Sequence, residues 1–348
     1  MKMMTKIKKT ERNIGLEILR LLLCFWVVLF HTINHSNVFL LNYIVSKKFH
    51  VPCFFFISFY FFFPIVNDRN CVKMKLRLKR LFIPFFLWPI ISWSFNNIFY
   101  LIFATNRFGR LLSFSELKVQ LIVGRKFFIQ LWFLFNLLFF SLFFFIISFF
   151  LKKCFLFFVI LIGIISIIFQ YSKYKYNLFI QYKDSISCSI GHFVFSFPIA
   201  VLAFCFKKIN LISYFEKNYI KSFIVIFVFL YYLFKQGAPY TYLGIDKCLF
   251  SLLTFLGFYL IPLNKYLNSR CKSIIYFITN YTQGIYCIHI MIKRYIFKFF
   301  NIKPTFPFSI LLYIICYFLS FIGKKTFEKS EIKYLNYFSI MIKLKLLN

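Results

Sequence analysis

The chain of 348 residues is 61% hydrophobic and 24% aromatic, with only 15% charged residues. This composition excludes an ordinary soluble domain and is typical of a polytopic integral membrane protein. The formal charge of +34 could suggest a nucleic-acid-binding protein. However, the basic residues are spread along the segments between apolar runs and form no single patch, so we expect no nucleic-acid partner.

The apolar runs predict an all-α protein with about ten transmembrane helices, because each span needs roughly 20 apolar residues and sometimes 17. The basic N-terminus, residues 1–13, has no small-residue cleavage site and predicts an uncleaved anchor. The predicted spans are 14–33, 50–66, 81–103, 127–150, 154–170, 187–206, 222–236, 248–263, 273–292 and 306–322.

Lys and Arg residues predict the orientation, because cytoplasmic loops carry an excess of them. With the N-terminus inside, the cytoplasmic segments hold more of the 43 basic residues than the external loops do. The most basic of these segments is 67–80, in which Asp68 is the only acid. We therefore expect both termini to be cytoplasmic, residues 14–322 to form one membrane domain, and 323–348 to form a basic tail on the inner leaflet.

The first predicted span carries a row of ionisable side chains. Arg20 and His31 are eleven residues apart. At about 100° per residue they lie roughly 20° apart around the helix and about 16 Å apart along it. Glu17, three residues before Arg20, lies within about 60° of the same face. Such groups are costly in lipid and usually face a protein interior or an aqueous cavity, so this face is a candidate functional site.

Ten cysteines are present, mostly within apolar runs. In such surroundings Cys behaves as a small hydrophobe. No cysteines have the spacing of a metal site. We therefore expect neither a disulfide framework nor a bound metal.

Four local patterns, in order along the chain, resemble the acyltransferase 3 family of integral-membrane O-acyltransferases. The first helix of that family has an arginine followed after ten residues by a histidine, as Arg20 is followed by His31, and commonly has Asp where this chain has Glu17. The second pattern is His50–Tyr60, similar to Pro-x-Phe-Phe-x-x-Ser-Gly-Tyr, and the third is Arg77–Arg80 followed by Pro84 and Trp88, similar to Arg-x-x-Arg. The fourth is Gly284–His289, similar to Ile-Tyr-Leu-Ile-His. Leu131–Leu134 adds a weaker fifth pattern. Phe59 departs from the family, which usually has Gly there.

The resemblance implies a ten-helix membrane O-acyltransferase. A second departure from the family is that we expect no appended soluble esterase-like domain, which would make the chain a minimal, membrane-only member. The implied reaction transfers acetyl from acetyl-coenzyme A to a sugar hydroxyl of a bacterial surface polysaccharide, such as an O-antigen, or of its lipid-linked precursor. The implied location is the bacterial cytoplasmic (inner) membrane. The expected partners are the lipid bilayer and the glycan acceptor, and acetyl-coenzyme A is the co-substrate.

Two other functions are compatible with a polytopic, aromatic-rich chain. A polysaccharide flippase or transporter would distribute polar residues over several spans, whereas here the intramembrane charge is concentrated in the first. A polymerase of polysaccharide repeat units would be expected to have a large external loop, and the longest external loop predicted here, 104–126, is modest.

His31 is the candidate base, because an imidazole can accept a hydroxyl proton near neutral pH. It could instead be a histidine that caps or snorkels at a helix end. Arg20 could face the substrate while Glu17 holds it, or Glu17 could simply neutralise it.

Arg77 and Arg80 are candidates for binding the phosphates of coenzyme A, since a guanidinium offers paired donors to phosphate oxygens. Both are expected on the cytoplasmic side, where the positive-inside rule alone could also explain basic residues. The candidates for acceptor contact are His289, Tyr286, Ser58 and Trp132, with His35, His50 and Asn136 as cavity walls and His192 as a packing or pore residue.

Overall fold

A computed structural model describes most of the chain, and every regular element within it is a helix. The described residues are 12–32, 50–103, 111–123, 131–175, 185–210, 212–213, 245–300 and 305–345. We number the helices in chain order: α1 Ile14–Thr32, α2 His50–Asn67, α3 Cys71–Phe103, α4 Phe114–Val123, α5 Trp132–Leu151, α6 Phe155–Lys175, α7 Ser185–Lys208, α8 Ile245–Leu260, α9 Leu263–Tyr266, α10 Ser269–Thr279, α11 Thr282–Phe300 and α12 Phe306–Lys345.

Six stretches of the described residues are long and apolar enough to cross a membrane. They are Ile14–Thr32, His50–Asn67, Cys71–Ile102, Trp132–Phe169, Cys248–Tyr266 and Phe306–Thr326. The fourth contains α5 and most of α6, which a short 3-10 turn joins. The chain is therefore an all-helical, multi-pass membrane protein. The count of ten spans and the cytoplasmic placement of both termini stay predictions, and the expected span 222–236 lies outside the described residues.

The structure corrects one expected span and extends two others. The run 273–292 is not one helix, because α10 ends at Thr279 and α11 begins at Thr282. Helix α3 begins at Cys71, so the basic segment before the expected span 81–103 is itself mostly helical. Helix α12 continues without a break from the expected span 306–322 to Lys345.

The centre of the protein is α2, which packs against α1, α3, α5, α7 and α8. Aromatic and aliphatic side chains cover every side of α2, and a helix of this kind is stable only when it is buried or in lipid. Phe59 is fully buried and contacts the rings of Phe55, Phe140 and Phe204, at centroid distances of 5.6, 5.1 and 6.2 Å. The bulky residue that replaces the family's glycine is thus accommodated by rings from α5 and α7.

The N-terminus of α1 is fixed against α8 and α9 by a close helix contact and a polar cap. A Cβ on Gly15 would lie 1.8 Å from the carbonyl oxygen of Phe258, so only glycine permits this approach. The side chain of Asn264 accepts a hydrogen bond from the Ile14 amide at 2.9 Å, and the side chain of Asn13 donates to the Tyr259 carbonyl at 2.9 Å. The first bond satisfies a backbone donor that a helix start leaves unpaired, and both bonds set the position of α1.

Candidate functional site

Ionisable side chains of α1 form the first part of the site. Arg20 donates to Glu17 at 3.1 Å, and Glu17 also lies 3.9 Å from Arg12. A second nitrogen of Arg20 lies 3.5 Å from the hydroxyl oxygen of Thr282, at the start of α11. The guanidinium is therefore paired with Glu17 one turn away and also directed at α11, and a substrate-facing role for Arg20 stays a prediction.

His31 lies near the other end of α1 and also contacts α11. Its ring centroid is 5.2 Å from that of His289, and its backbone carbonyl accepts a hydrogen bond from the ammonium group of Lys293. Arg20 and His31 therefore share the α11 side of α1, as their spacing predicts. Helices α1 and α11 run in the same direction, because Thr282 meets Arg20 and His289 meets His31.

The imidazole end of the site, as we call the surroundings of His31, contains two further histidines. His289 is fully buried, and His50 is 2% exposed. The ring of Phe30 lies 5.1 Å from that of His31 and 5.3 Å from that of His50, so the same aromatic side chain contacts both. Within the described part of the chain, no group of three or more His, Cys, Asp or Glu residues could hold a metal ion.

Arg77 is held at the junction of α2, α3 and α5. Its Nε donates to the hydroxyl of Ser141 at 2.8 Å, and its Nη2 donates to the hydroxyl of Ser58 at 2.8 Å. The guanidinium also lies 4.3 Å from the centroid of the Phe62 ring. Ser141 donates its own proton to the Leu137 carbonyl at 2.6 Å, which leaves its oxygen to accept from Arg77. Ser58, which we expected to contact the acceptor, therefore binds Arg77.

The start of α11 joins the two helices that carry these arginines. Thr282 contacts Arg20 of α1, and the side chain of the next residue, Gln283, donates to the backbone carbonyl of Arg80 at 3.0 Å. Arg80 is exposed, whereas Arg77 is half-buried. Arg20, Arg77 and Arg80 therefore lie at one end of the site, which we call the arginine end. Among the described residues, the ion pairs formed there involve one carboxylate, that of Glu17.

Aromatic side chains lie between the two ends. The Tyr286 ring is 5.3 Å from that of Phe133 and 6.3 Å from that of Phe54, and it lies 6.1 Å from the imidazole of His289. Tyr286 thus shares the neighbourhood of His289, as expected. These rings form an apolar wall beside the histidines.

The remaining expected site residues lie away from the two ends of the site or outside the described residues. Trp132 is 7% exposed and lies 6.0 Å from Phe55, on the side of α2 that faces the aromatic core. Asn136 is fully buried, and neither atom of its amide has a hydrogen-bond partner among the described residues. His35 and the side chain of His192 lie outside the described residues.

The sequence did not identify four residues that shape the site, namely Ser141, Thr282, Gln283 and Lys293. Lys293 follows His289 by four residues, a spacing that places both on one helix face. Helical periodicity could therefore have identified Lys293 from the sequence. Ser141 has no local signal, since its contact with Arg77 spans 64 positions of the chain.

Comparison with known proteins gives one result. A family model described as an acyltransferase domain matches residues 13–324, which contain every site residue named above. No curated protein and no solved structure matches the chain.

Proposed function

Because the chain belongs to the acyltransferase 3 family of membrane acyltransferases, we propose that it transfers acetyl from acetyl-coenzyme A to a sugar hydroxyl. The proposed acceptor is a bacterial surface polysaccharide, such as an O-antigen, or its lipid-linked precursor, and the proposed location is the bacterial cytoplasmic (inner) membrane. The observation that carries this proposal is the separation of the site into an arginine end and an imidazole end, both on the α11 side of α1.

The arginine end supports binding of an anionic donor. Two neutral hydroxyls orient Arg77, and among the described residues no carboxylate forms an ion pair with it. An anion from a ligand would compensate this charge, and guanidinium groups suit phosphate oxygens because they donate in pairs. Exposed Arg80 and partly exposed Arg20 lie close enough to the same end to contact other phosphates of coenzyme A.

The imidazole end supports acceptance of a proton. His31 would remove the hydroxyl proton as the acceptor oxygen attacks the thioester carbonyl carbon. The tetrahedral intermediate would then collapse with cleavage of the carbon–sulfur bond. The leaving thiolate would take the proton back from His31, so the products are the acetyl ester and free coenzyme A.

The distance between the two ends fits the donor. Arg20 and His31 are about 16 Å apart along α1, and the pantetheine arm of acetyl-coenzyme A has a comparable length. A nucleotide bound at the arginine end could therefore present its thioester to His31. The acceptor would reach the same histidine from the opposite end of the bundle.

Mass spectrometry of cell-surface glycans tests the proposal in cells with the gene present, deleted, or carrying His31→Ala. We expect both altered strains to lose one acetyl mass per modified unit while polymer length is preserved. Shortened or missing polymer in these strains would contradict the proposal and favour a polymerase or flippase. Unchanged acetylation in the deletion strain would also refute it.

A further inference from the structure

The ring of His289 is oriented by its own helix. Its Nδ1 lies 2.8 Å from the carbonyl oxygen of Tyr286 and 3.2 Å from that of Ile285. Carbonyl oxygens only accept hydrogen bonds, so Nδ1 carries the hydrogen. In the neutral imidazole the other nitrogen, Nε2, then carries a lone pair and acts as an acceptor.

This acceptor is buried and unused. His289 is fully buried, and its Nε2 has no hydrogen-bond partner among the described residues. A buried acceptor without a partner costs free energy, and each such group in a native protein calls for an explanation. The imidazole of His31 lies beside it, with a centroid distance of 5.2 Å and an angle of 39° between the ring planes.

The surroundings of His31 offer few alternatives to His289. The titratable groups that interact with His31 are His289, His50 and Lys293. Lys293 is a donor to the His31 backbone carbonyl and cannot accept from the ring. No carboxylate is among these groups, so an orienting acid of the kind found in Ser-His-Asp triads is missing from the described surroundings.

We propose that His289 is a positioning residue for His31, accepting the N–H of one His31 ring nitrogen at Nε2 so that the other nitrogen faces the acceptor hydroxyl. This inference rests on the proposed function, in which His31 is the base. The two rings need a small rotation to form the bond, and catalytic hydrogen bonds often tighten when substrate binds.

The pairing has a defined role in the reaction. When the hydroxyl proton reaches His31, the ring becomes positively charged and its bond to His289 becomes a charge-assisted hydrogen bond. The proton stays on His31 and passes to the leaving thiolate, so His289 begins and ends the reaction neutral. The bond is stronger in the charged state than in the resting state, and it therefore contributes to kcat.

Steady-state transfer of labelled acetyl from acetyl-coenzyme A to glycolipid, with the full chain in nanodiscs, tests the pairing. His289→Leu removes the acceptor, and we expect kcat to fall about 10- to 100-fold while both KM values change less than about twofold. His289→Gln can present an amide oxygen to His31 and should recover most of the lost kcat. Met291→Leu, a buried substitution two residues further along α11, should retain wild-type rates.

Three results would overturn the inference while leaving the proposed function intact. His289→Leu could retain its kcat. His289→Gln could be as slow as His289→Leu, which would indicate that accepting a hydrogen bond is not what His289 contributes. Met291→Leu could lose as much activity as His289→Leu, which would indicate a general packing effect.

Nitrogen-15 spectra of labelled histidine test the pairing without any transfer assay. We expect one tautomer of His31 in the wild type and a mixture in His289→Leu, with the His31 signal assigned by its loss in His31→Ala. The same tautomer distribution in both proteins would overturn the pairing. A wild-type protein that transfers no acetyl would contradict the proposed function, and the spectra would still decide the pairing.

Discussion

Ser141 tests the arginine end most sharply, because no sequence motif points to it and its effect must pass through Arg77. The variant Ser141→Ala removes the acceptor of the 2.8 Å bond from Arg77 Nε. Hydrogen bonds to charged groups contribute about 1.5–3 kcal/mol. Arg77 is only half-buried, so water replaces part of the loss, and we expect a cost of about 1–1.5 kcal/mol.

That cost corresponds to a roughly 5- to 13-fold rise in KM for acetyl-coenzyme A, with kcat unchanged within about twofold. Initial rates of label transfer at varied donor concentration measure both constants. Ser148→Ala is the matched control, because Ser148 is buried on the same helix and its hydroxyl donates to its own helix, at the Phe145 carbonyl. An unchanged KM in Ser141→Ala, or an equal rise in Ser148→Ala, would refute the reasoning.

Two further predictions concern the packing that holds the site together. Gly15→Ala should destabilise the protein by about 1–3 kcal/mol and lower its Tm, because the new Cβ would lie 1.8 Å from the Phe258 carbonyl oxygen. The control Gly257→Ala places its Cβ in open space and should leave Tm unchanged. Equal Tm values in the two variants would contradict this prediction. Phe59→Ala should lower the free energy of unfolding by about 3–5 kcal/mol, since Phe59 is fully buried. The control Phe61→Ala, at a position that is 52% exposed, should change Tm little. A Phe59→Ala protein as stable as the wild type would show that Phe59 does not pack against the rings around it.

Much of the site follows from helical periodicity. The expected spans 14–33 and 50–66 agree closely with α1 and α2. Because the helix repeat is fixed, the spacing of Arg20 and His31 was enough to predict that both lie on one side of α1. Glu17 one turn before Arg20 likewise predicted the ion pair.

Hydropathy could not locate the break between α10 and α11, because both helices are apolar enough to join one run. The residues at the break do carry a signal. Asn280 is a residue type that often ends helices, and Thr282 is one that often begins them. The break places Thr282 and Gln283 at a helix start, beside Arg20 and Arg80.

Charge also misleads about helix ends. Lys and Arg have good helix propensity, so the basic residues at 71–80 form the first turns of α3 instead of a loop before it. This helical start carries Arg77 to Ser58 and Ser141. Those contacts join three helices, and no local pattern in the sequence encodes them.

The most direct test of the account is the division of kinetic effects between the two ends of the site. In label transfer from acetyl-coenzyme A to glycolipid, Arg80→Ala should raise the donor KM with kcat retained, whereas His31→Ala should lower kcat by about 100-fold or more. Normal kcat in His31→Ala, or an unchanged donor KM in Arg80→Ala, would contradict the assignment of donor binding to one end and chemistry to the other.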